Sequence, residues 1–121
     1  MGNPFVHVEL QTNDLAKAKQ FYASLLEWKL EEIPFEGGSY TMVHVGVGVG
    51  GGMMKNPVPG SPSQWLAYIS VADVAATTRK AKELGATVLC DRTEVSGFGW
   101  FGVIADPTGA VVAFWECKRT G

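Results

Sequence analysis

The feature that most constrains the fold is a pattern that occurs twice, 59 positions apart. In each half, a short β-prone segment precedes an aspartate, Asp14 in the first half and Asp73 in the second. An aspartate in this position can accept hydrogen bonds from the free N–H groups that begin a helix. Apolar residues then recur at helical spacing, strongly in the first half and weakly in the second, where Gly85 is a natural helix end. The stripe residues are Leu15, Ala18, Phe21, Tyr22, Leu25 and Leu26, then Val74, Ala81 and Leu84. The pattern therefore predicts a strand and a helix at the start of each half, with the strands at Phe5–Leu10 and Gln64–Ile69.

After each predicted helix, the apolar period changes from 3.6 to 2, which indicates strands. Three strands are predicted in each half, together with a turn at Gly37-Gly38 and a strong turn signal at Asp106–Gly109. The predicted strands are Trp28–Ile33, Ser39–Val45 and about Val47–Met54, then Thr87–Val95, Phe98–Ala105 and Ala110–Lys118. The sequence thus predicts the order βαβββ twice.

A segment rich in glycine and proline separates the halves. Gly46–Pro62 holds six glycines and three prolines among 17 residues. Residues 55–63 cannot form a helix or a central strand, because proline lacks the backbone donor that both require. We therefore predict one domain, with module one at about 4–54, a linker at about 55–63 and module two at about 64–118.

The glycine run Gly46–Gly51 formally matches G-x-G-x-x-G. A dinucleotide site needs a helix to follow that motif, and Pro57, Pro59 and Pro62 prevent one. The run is better interpreted as a glycine-rich strand that bends or that allows a close approach to its backbone.

Composition excludes several classes of function. The 121 residues carry 10 Lys and Arg against 12 Asp and Glu, a net charge of −2, which argues against a nucleic-acid partner. The sequence contains no apolar run of about 18 residues, so no membrane span is predicted. The first residues lack the features of a signal peptide, and Cys90 and Cys117 are too few for a disulfide scaffold. We therefore predict a cytoplasmic protein with reduced thiols.

Three groups of residues carry a resemblance to a known family. They are His7-Val8-Glu9-Leu10 with Asp14-Leu15 and Phe21-Tyr22, then Val71-Ala72-Asp73-Val74 with Glu83-Leu84-Gly85-Ala86, and finally Asp106-Pro107-Thr108-Gly109 before a last apolar strand. In this order, and over almost the whole chain, the pattern resembles the vicinal oxygen chelate superfamily. That superfamily includes glyoxalase I, bleomycin- and fosfomycin-resistance proteins and extradiol dioxygenases. The resemblance implies an α+β fold in which two βαβββ modules form curved mixed sheets around a shared cavity.

The resemblance also implies where a metal would bind, with one ligand on the first strand and one on the last strand of each module. His7 fills the first position, but Leu66 and Ala113 stand at two others, and Gly50–Met54 offers at most a weak thioether. Glu9 shares a strand face with His7 and could raise the count to two, still short of the usual three. We therefore expect no metal cofactor. A divergent site for Zn, Ni, Mn or Fe is the alternative.

His7 and Glu9 have two further interpretations. They could act as an acid–base pair, in which the carboxylate raises the pKa of the imidazole or orients its ring, or they could line a wet cavity. Tyr68 shares a strand face with Leu66, and Trp115 shares one with Ala113. Trp100 or Phe101 could add a further ring. Such cavity walls suit a small, partly aromatic ligand, and the alternative is that the rings only fill the core. Tyr40 and Met42 could contribute from module one. The predicted ligand-binding residues are His7, Glu9, Met54, Leu66, Tyr68, Trp100, Phe101, Ala113 and Trp115.

Two classes of function follow from the resemblance. The first is a metal-free protein that binds a small, partly apolar molecule between its modules, as bleomycin-resistance proteins do. The second is an enzyme of the glyoxalase or dioxygenase type, with a divergent metal site or with His7 and Glu9 as acid–base groups. We also expect a homodimer, because curved sheets leave edges and apolar helix faces to cover.

Overall fold

The computed structural model describes residues 2–35 and 38–118, with nothing said of the side chain of Phe35. In chain order the elements are β1 (Phe5–Thr12), α1 (Leu15–Leu25), β2 (Lys29–Phe35), β3 (Gly38–His44), β4 (Gly51–Lys55), β5 (Gln64–Ser70), α2 (Val74–Glu83), β6 (Thr87–Val95), β7 (Gly99–Ala105) and β8 (Val111–Cys117). The predicted α+β fold with two βαβββ modules is confirmed.

The chain forms two compact units, of which His7–Leu66 is the first. Its strands follow the order β2-β3-β4-β1. β1 is parallel to β4, whereas β3 is antiparallel to both β2 and β4. Leu10, Val43 and Met53 are buried on one face of this sheet, and Leu15, Ala18 and Tyr22 of α1 pack against them. Because side chains alternate along a strand, the neighbouring residues of β1 lie on the face turned away from α1.

The second unit comprises the chain up to Val6 and from Ala67 onward. Its strand order is β5-β8-β7-β6, again with one parallel pair, β5 and β8. Val74, Ile104 and Phe114 form its buried cluster. Glu116 Oε1 accepts a hydrogen bond from the Val74 N–H at 3.0 Å, which ties the start of α2 to β8.

Both helices begin where their aspartates predict. Asp14 Oδ1 accepts from the Lys17 N–H at 3.0 Å, and Asp73 Oδ1 accepts from the Ala76 N–H at 3.1 Å. Each bond satisfies one of the donors that a helix start leaves open. Gly85 follows the end of α2 with a φ of +105°, a backbone conformation that favours glycine.

The structure differs from the sequence prediction mainly before β4. That strand begins at Gly51 and not at Val47, because Gly46 and Gly48 both have positive φ values near 100° and turn the chain away from a strand. Val47, between them, is 98% exposed. Of the turn predicted at Gly37-Gly38, Gly37 lies outside the described residues and Gly38 is the first residue of β3. Neither of the helices in the described part of the chain has the length and apolar character needed to cross a membrane.

Candidate functional site

The candidate site lies on the face of the first unit that points away from α1. Alternation along β1 places His7, Glu9 and Gln11 there. In the strand register, Glu9 is paired with Gly52 of β4, and Gly52 is paired with Met42 of β3. These pairings place His7, Glu9 and Gln11 beside the even-numbered residues of β3 and β4. That set consists of Tyr40, Met42, Gly52 and Met54.

A chain of hydrogen bonds links the polar residues on this face. The Tyr40 hydroxyl donates to Glu9 Oε1 at 2.8 Å and lies 3.0 Å from His7 Nε2. Gln11 Nε2 donates to Glu9 Oε2 at 3.0 Å. A phenol has one proton, and in this chain it is directed to Glu9, so His7 Nε2 must carry the proton and donate it to the Tyr40 oxygen. The imidazole is therefore assigned as the Nε2–H tautomer. We call these four residues the tyrosine-centred network.

Gly52 explains how Tyr40 reaches β1. β4 lies between β3 and β1, so the phenol must cross one strand, and neighbouring strands are about 4.8 Å apart. A Cβ at Gly52 would lie 1.9 Å from the Tyr40 hydroxyl oxygen and 2.3 Å from two of its ring carbons. The missing side chain of Gly52 is thus the space that the ring occupies.

The electrostatics of the network follow from its burial. Glu9 is only 6% exposed, and the hydrogen bonds from Tyr40 and Gln11 compensate its carboxylate for lost water. Burial lowers the pKa of His7 below its usual 6.5, and the negative charge of Glu9 offsets part of this effect. The imidazole is therefore neutral near neutral pH. His7 and Glu9 share a face as predicted, and the Tyr40 hydroxyl is hydrogen-bonded to both.

The residues predicted from module two occupy β5, β7 and β8. Tyr68 is paired with Ala113 in the register, and Phe101 is paired with Trp115. Tyr68 and Ala113 are buried, as is Leu66 two residues earlier on β5. Because side chains alternate, Ala113 and Trp115 share one face of β8.

Trp100 lies on the other face from Phe101. It packs against the cluster of Val74, Ile104 and Phe114 on the α2 side. The Arg92 guanidinium lies 4.3 Å from the centre of its ring, in cation–π contact. Trp100 therefore contributes to the α2-side core of its own unit. Trp100 and Phe101 thus lie on opposite faces of β7.

The donor set does not fit a metal centre of the kind that the resemblance implies. Leu66 and Ala113, which stand at two of its ligand positions, offer only hydrocarbon. Within residues 2–35 and 38–118, no three or more His, Cys, Asp or Glu side chains are grouped so that they could hold an ion. The expected lack of a metal cofactor stays a prediction, and no step is derived through a metal.

Sequence reasoning missed Gln11 and Gly52 and gave Tyr40 only a wall position. The signal for Gly52 was visible, because a glycine inside a strand often marks a close approach to the backbone. The approaching group is the phenol of the same chain. Gln11 could have been found from its parity, since it follows His7 and Glu9 at two-residue spacing.

Two comparisons with known sequences address the family. The sequence model of the Glyoxalase/Bleomycin resistance protein/Dioxygenase superfamily matches residues 5–114. A Mycobacterium bovis protein named "Putative glyoxylase CFP32" is 35% identical over 117 residues, which cover 93% of this chain and 45% of that protein. The chain thus spans about half the length of the curated relatives it matches.

Solved structures show the same fold. The hypothetical protein BH1468 from Bacillus halodurans has a TM-score of 0.73 at 15% identity, covering 100% of this chain and 99% of that one. Methylmalonyl-CoA epimerase from Mycobacterium tuberculosis has a TM-score of 0.68 at 18% identity, covering 95% and 88% of the two chains. At these identities the likeness concerns the fold alone. From the match over residues 5–114, the chain belongs to the Glyoxalase/Bleomycin resistance protein/Dioxygenase superfamily.

Proposed function

We propose that the chain binds a small, partly apolar molecule, without a metal, on the face of the first unit that carries the tyrosine-centred network. One observation carries this proposal: a hydrogen-bonded chain of four polar side chains, including the buried Glu9, on a sheet face that α1 does not cover. A buried carboxylate is costly unless it is well satisfied. Two hydrogen-bond donors, Tyr40 and Gln11, hold this carboxylate on the uncovered face, and this arrangement supports a role in binding in addition to stability.

The surroundings of the network support a ligand of mixed character. Met42 and Met54 are half-buried beside it on β3 and β4. Methionine side chains adapt to apolar ligands of different shape. Binding sites for small molecules combine mostly apolar walls with a few placed polar groups. The network and the two methionines have this composition. The ligand-binding roles predicted for Tyr68, Phe101 and Trp115 of module two stay predictions.

A thermal-shift screen against metabolites and antibiotics tests the proposal. A ligand at about 100 times its Kd adds about 2.7 kcal/mol of stability, which is roughly 10 °C in Tm for a domain of this size. Tyr40→Phe should lower the affinity of a hit about tenfold or more, because it breaks the network. Tyr22→Phe is the matched control, since Tyr22 packs with Trp28 and Trp65 on the α1 side of the sheet. Equal affinity in both variants would place the ligand elsewhere.

An enzyme of the glyoxalase type is the second candidate. The observation that favours it is the Tyr40 hydroxyl, which joins a neutral imidazole to a carboxylate within hydrogen-bond distance on both sides. General acid–base catalysis requires such groups to be within reach of each other. The name of the CFP32 relative agrees with this class. Incubation of each hit in D2O, followed by NMR, would detect exchange of its acidic C–H protons. A hit that exchanges no faster with the protein than without it would rule out this chemistry for that molecule.

We also propose a homodimer built on α1. Phe21 and Leu25 are 56% and 60% exposed on this helix, a large apolar surface for a single helix. The curated relatives are about twice as long as this chain, so a second copy could occupy the place of their additional sequence. Light scattering should give twice the 13.0 kDa of one chain. Phe21→Glu should give the monomer mass, and Leu84→Glu, at an exposed position after α2, should not. A monomer mass for the unaltered chain would refute the dimer.

The cytoplasmic location stays a prediction of the sequence.

A further inference from the structure

We propose that Tyr40 is the bridge of a proton relay in which Glu9 is the final base and His7 is the end that meets the bound molecule. This inference deepens the second candidate function and rests on it. Tyr40 is a positioning residue in this scheme, because it acts through His7. The molecules that the relay suits carry an acidic C–H or O–H, such as a carbon acid next to a carbonyl or an enol.

The direction of the relay follows from burial and from the positions of the protons. Glu9 is 6% exposed, whereas His7 is half-buried, so a molecule on this face reaches the imidazole more readily than the carboxylate. In the tautomer assigned above, His7 Nε2 donates to the Tyr40 oxygen and Tyr40 donates to Glu9 Oε1, so both protons point the same way. Each donor in the chain therefore faces the acceptor to which it would give its proton.

The transfer balances in protons and in charge. The bound molecule gives a proton to His7 Nδ1 and becomes an anion. His7 gives its Nε2 proton to the Tyr40 oxygen, and Tyr40 gives its hydroxyl proton to Glu9 Oε1. His7 ends neutral as the Nδ1–H tautomer, Tyr40 ends neutral, and Glu9 becomes a neutral carboxylic acid. One negative charge has moved from Glu9 to the molecule, and the reverse sequence returns the proton.

Gly52 is the sequence determinant of the bridge. Its three nearest atoms, measured from the position of an added Cβ, all belong to Tyr40. Any larger residue at this position would displace the phenol from the line between His7 and Glu9. A relay through Tyr40 thus requires glycine at position 52, although the backbone there does not have a positive φ.

The test is the tautomer of His7, which needs no ligand. The chain has two histidines, and the second, His44, is exposed and pairs with Glu31, so a His44→Gln variant assigns the spectrum. In a long-range 1H–15N spectrum of 15N-histidine-labelled protein, recorded at least about one pH unit above 6.5, the His7 ring should carry its proton on Nε2 and none on Nδ1. Tyr40→Phe should remove this single-tautomer signature, and Gly52→Ala should do the same by moving the ring. Tyr22→Phe should leave it unchanged.

Three outcomes would overturn the relay. They are an Nδ1–H tautomer in the unaltered protein, an unchanged tautomer in Tyr40→Phe, or the same loss in Tyr22→Phe. The result is independent of the ligand screen. If the Nε2–H tautomer is missing but a ligand binds, only the relay is refuted. If the tautomer is as expected but the screen finds no ligand, the proposed function is refuted, and the hydrogen-bond chain has a structural role alone.

Discussion

The close approach of Tyr40 to Gly52 predicts a change of sign in a double-mutant cycle. In the unaltered background, Gly52→Ala places a Cβ 1.9 Å from the phenol oxygen, so the ring must leave. Glu9 then loses a donor while it stays buried, which costs about 2–3 kcal/mol of unfolding free energy, as for other hydrogen bonds to a buried charge. In a Tyr40→Ala background the ring is already gone. In that background, Gly52→Ala should raise the free energy of unfolding by about 0.5–1 kcal/mol, because alanine loses less backbone entropy than glycine when the strand forms.

The two effects differ by about 3 kcal/mol, which is the coupling energy between the sites. Urea unfolding of the four proteins, followed by tryptophan fluorescence, measures it from the shifts in midpoint at a common slope. If Gly52→Ala destabilises by the same amount in both backgrounds, the cost comes from something other than the phenol. That outcome would refute the role assigned to Gly52.

Three further predictions follow from the charges and the donor set. Because burial lowers the pKa of His7, this residue takes up a proton in the unfolded chain at a higher pH than in the folded chain. The free energy of unfolding should therefore be at its full value above about pH 6.5 and fall as the pH drops below it. Chemical unfolding at several pH values should show a smaller fall in His7→Asn. Hydrogen bonds from Lys19, and also from Ser39 and Thr41, hold the pKa of Glu32 at about 2, and 13C NMR should find it raised in Lys19→Met. Elemental analysis after dialysis should find no stoichiometric transition metal, and about one Ni, Zn, Mn or Fe per chain would contradict this expectation.

Much of the fold follows from local signals in the sequence. Asp14 and Asp73 cap their helices as predicted, because capping depends only on residues within one turn. The order βαβββ follows from the change of apolar period. The start of β4 does not follow from local signals, because valine at positions 47 and 49 favours a strand. The positive φ values of Gly46 and Gly48, which the sequence does not reveal, interrupt the strand there.

The candidate site is less visible because it depends on strands that are not neighbours in sequence. His7 and Glu9 were found by their spacing on one strand. The bridge between them needs the parallel pairing of β1 with β4, which places Gly52 beside Glu9 and opens the path for Tyr40. Likewise, spacing alone left open whether Trp100 or Phe101 faces a ligand. The structure packs Trp100 on the α2 side, and the ligand-binding roles of both rings stay predictions.

The central claim is that a small molecule binds at the tyrosine-centred network. Its most direct test is a titration of 15N-labelled protein with the strongest hit of the thermal-shift screen, followed through the backbone amide signals. The account predicts that the largest shifts occur at Glu9, Gln11 and Gly52, and that Tyr40→Phe weakens the binding while Tyr22→Phe does not. Shifts confined to α1, or to residues beyond Ala67, with equal affinity in both variants, would contradict it.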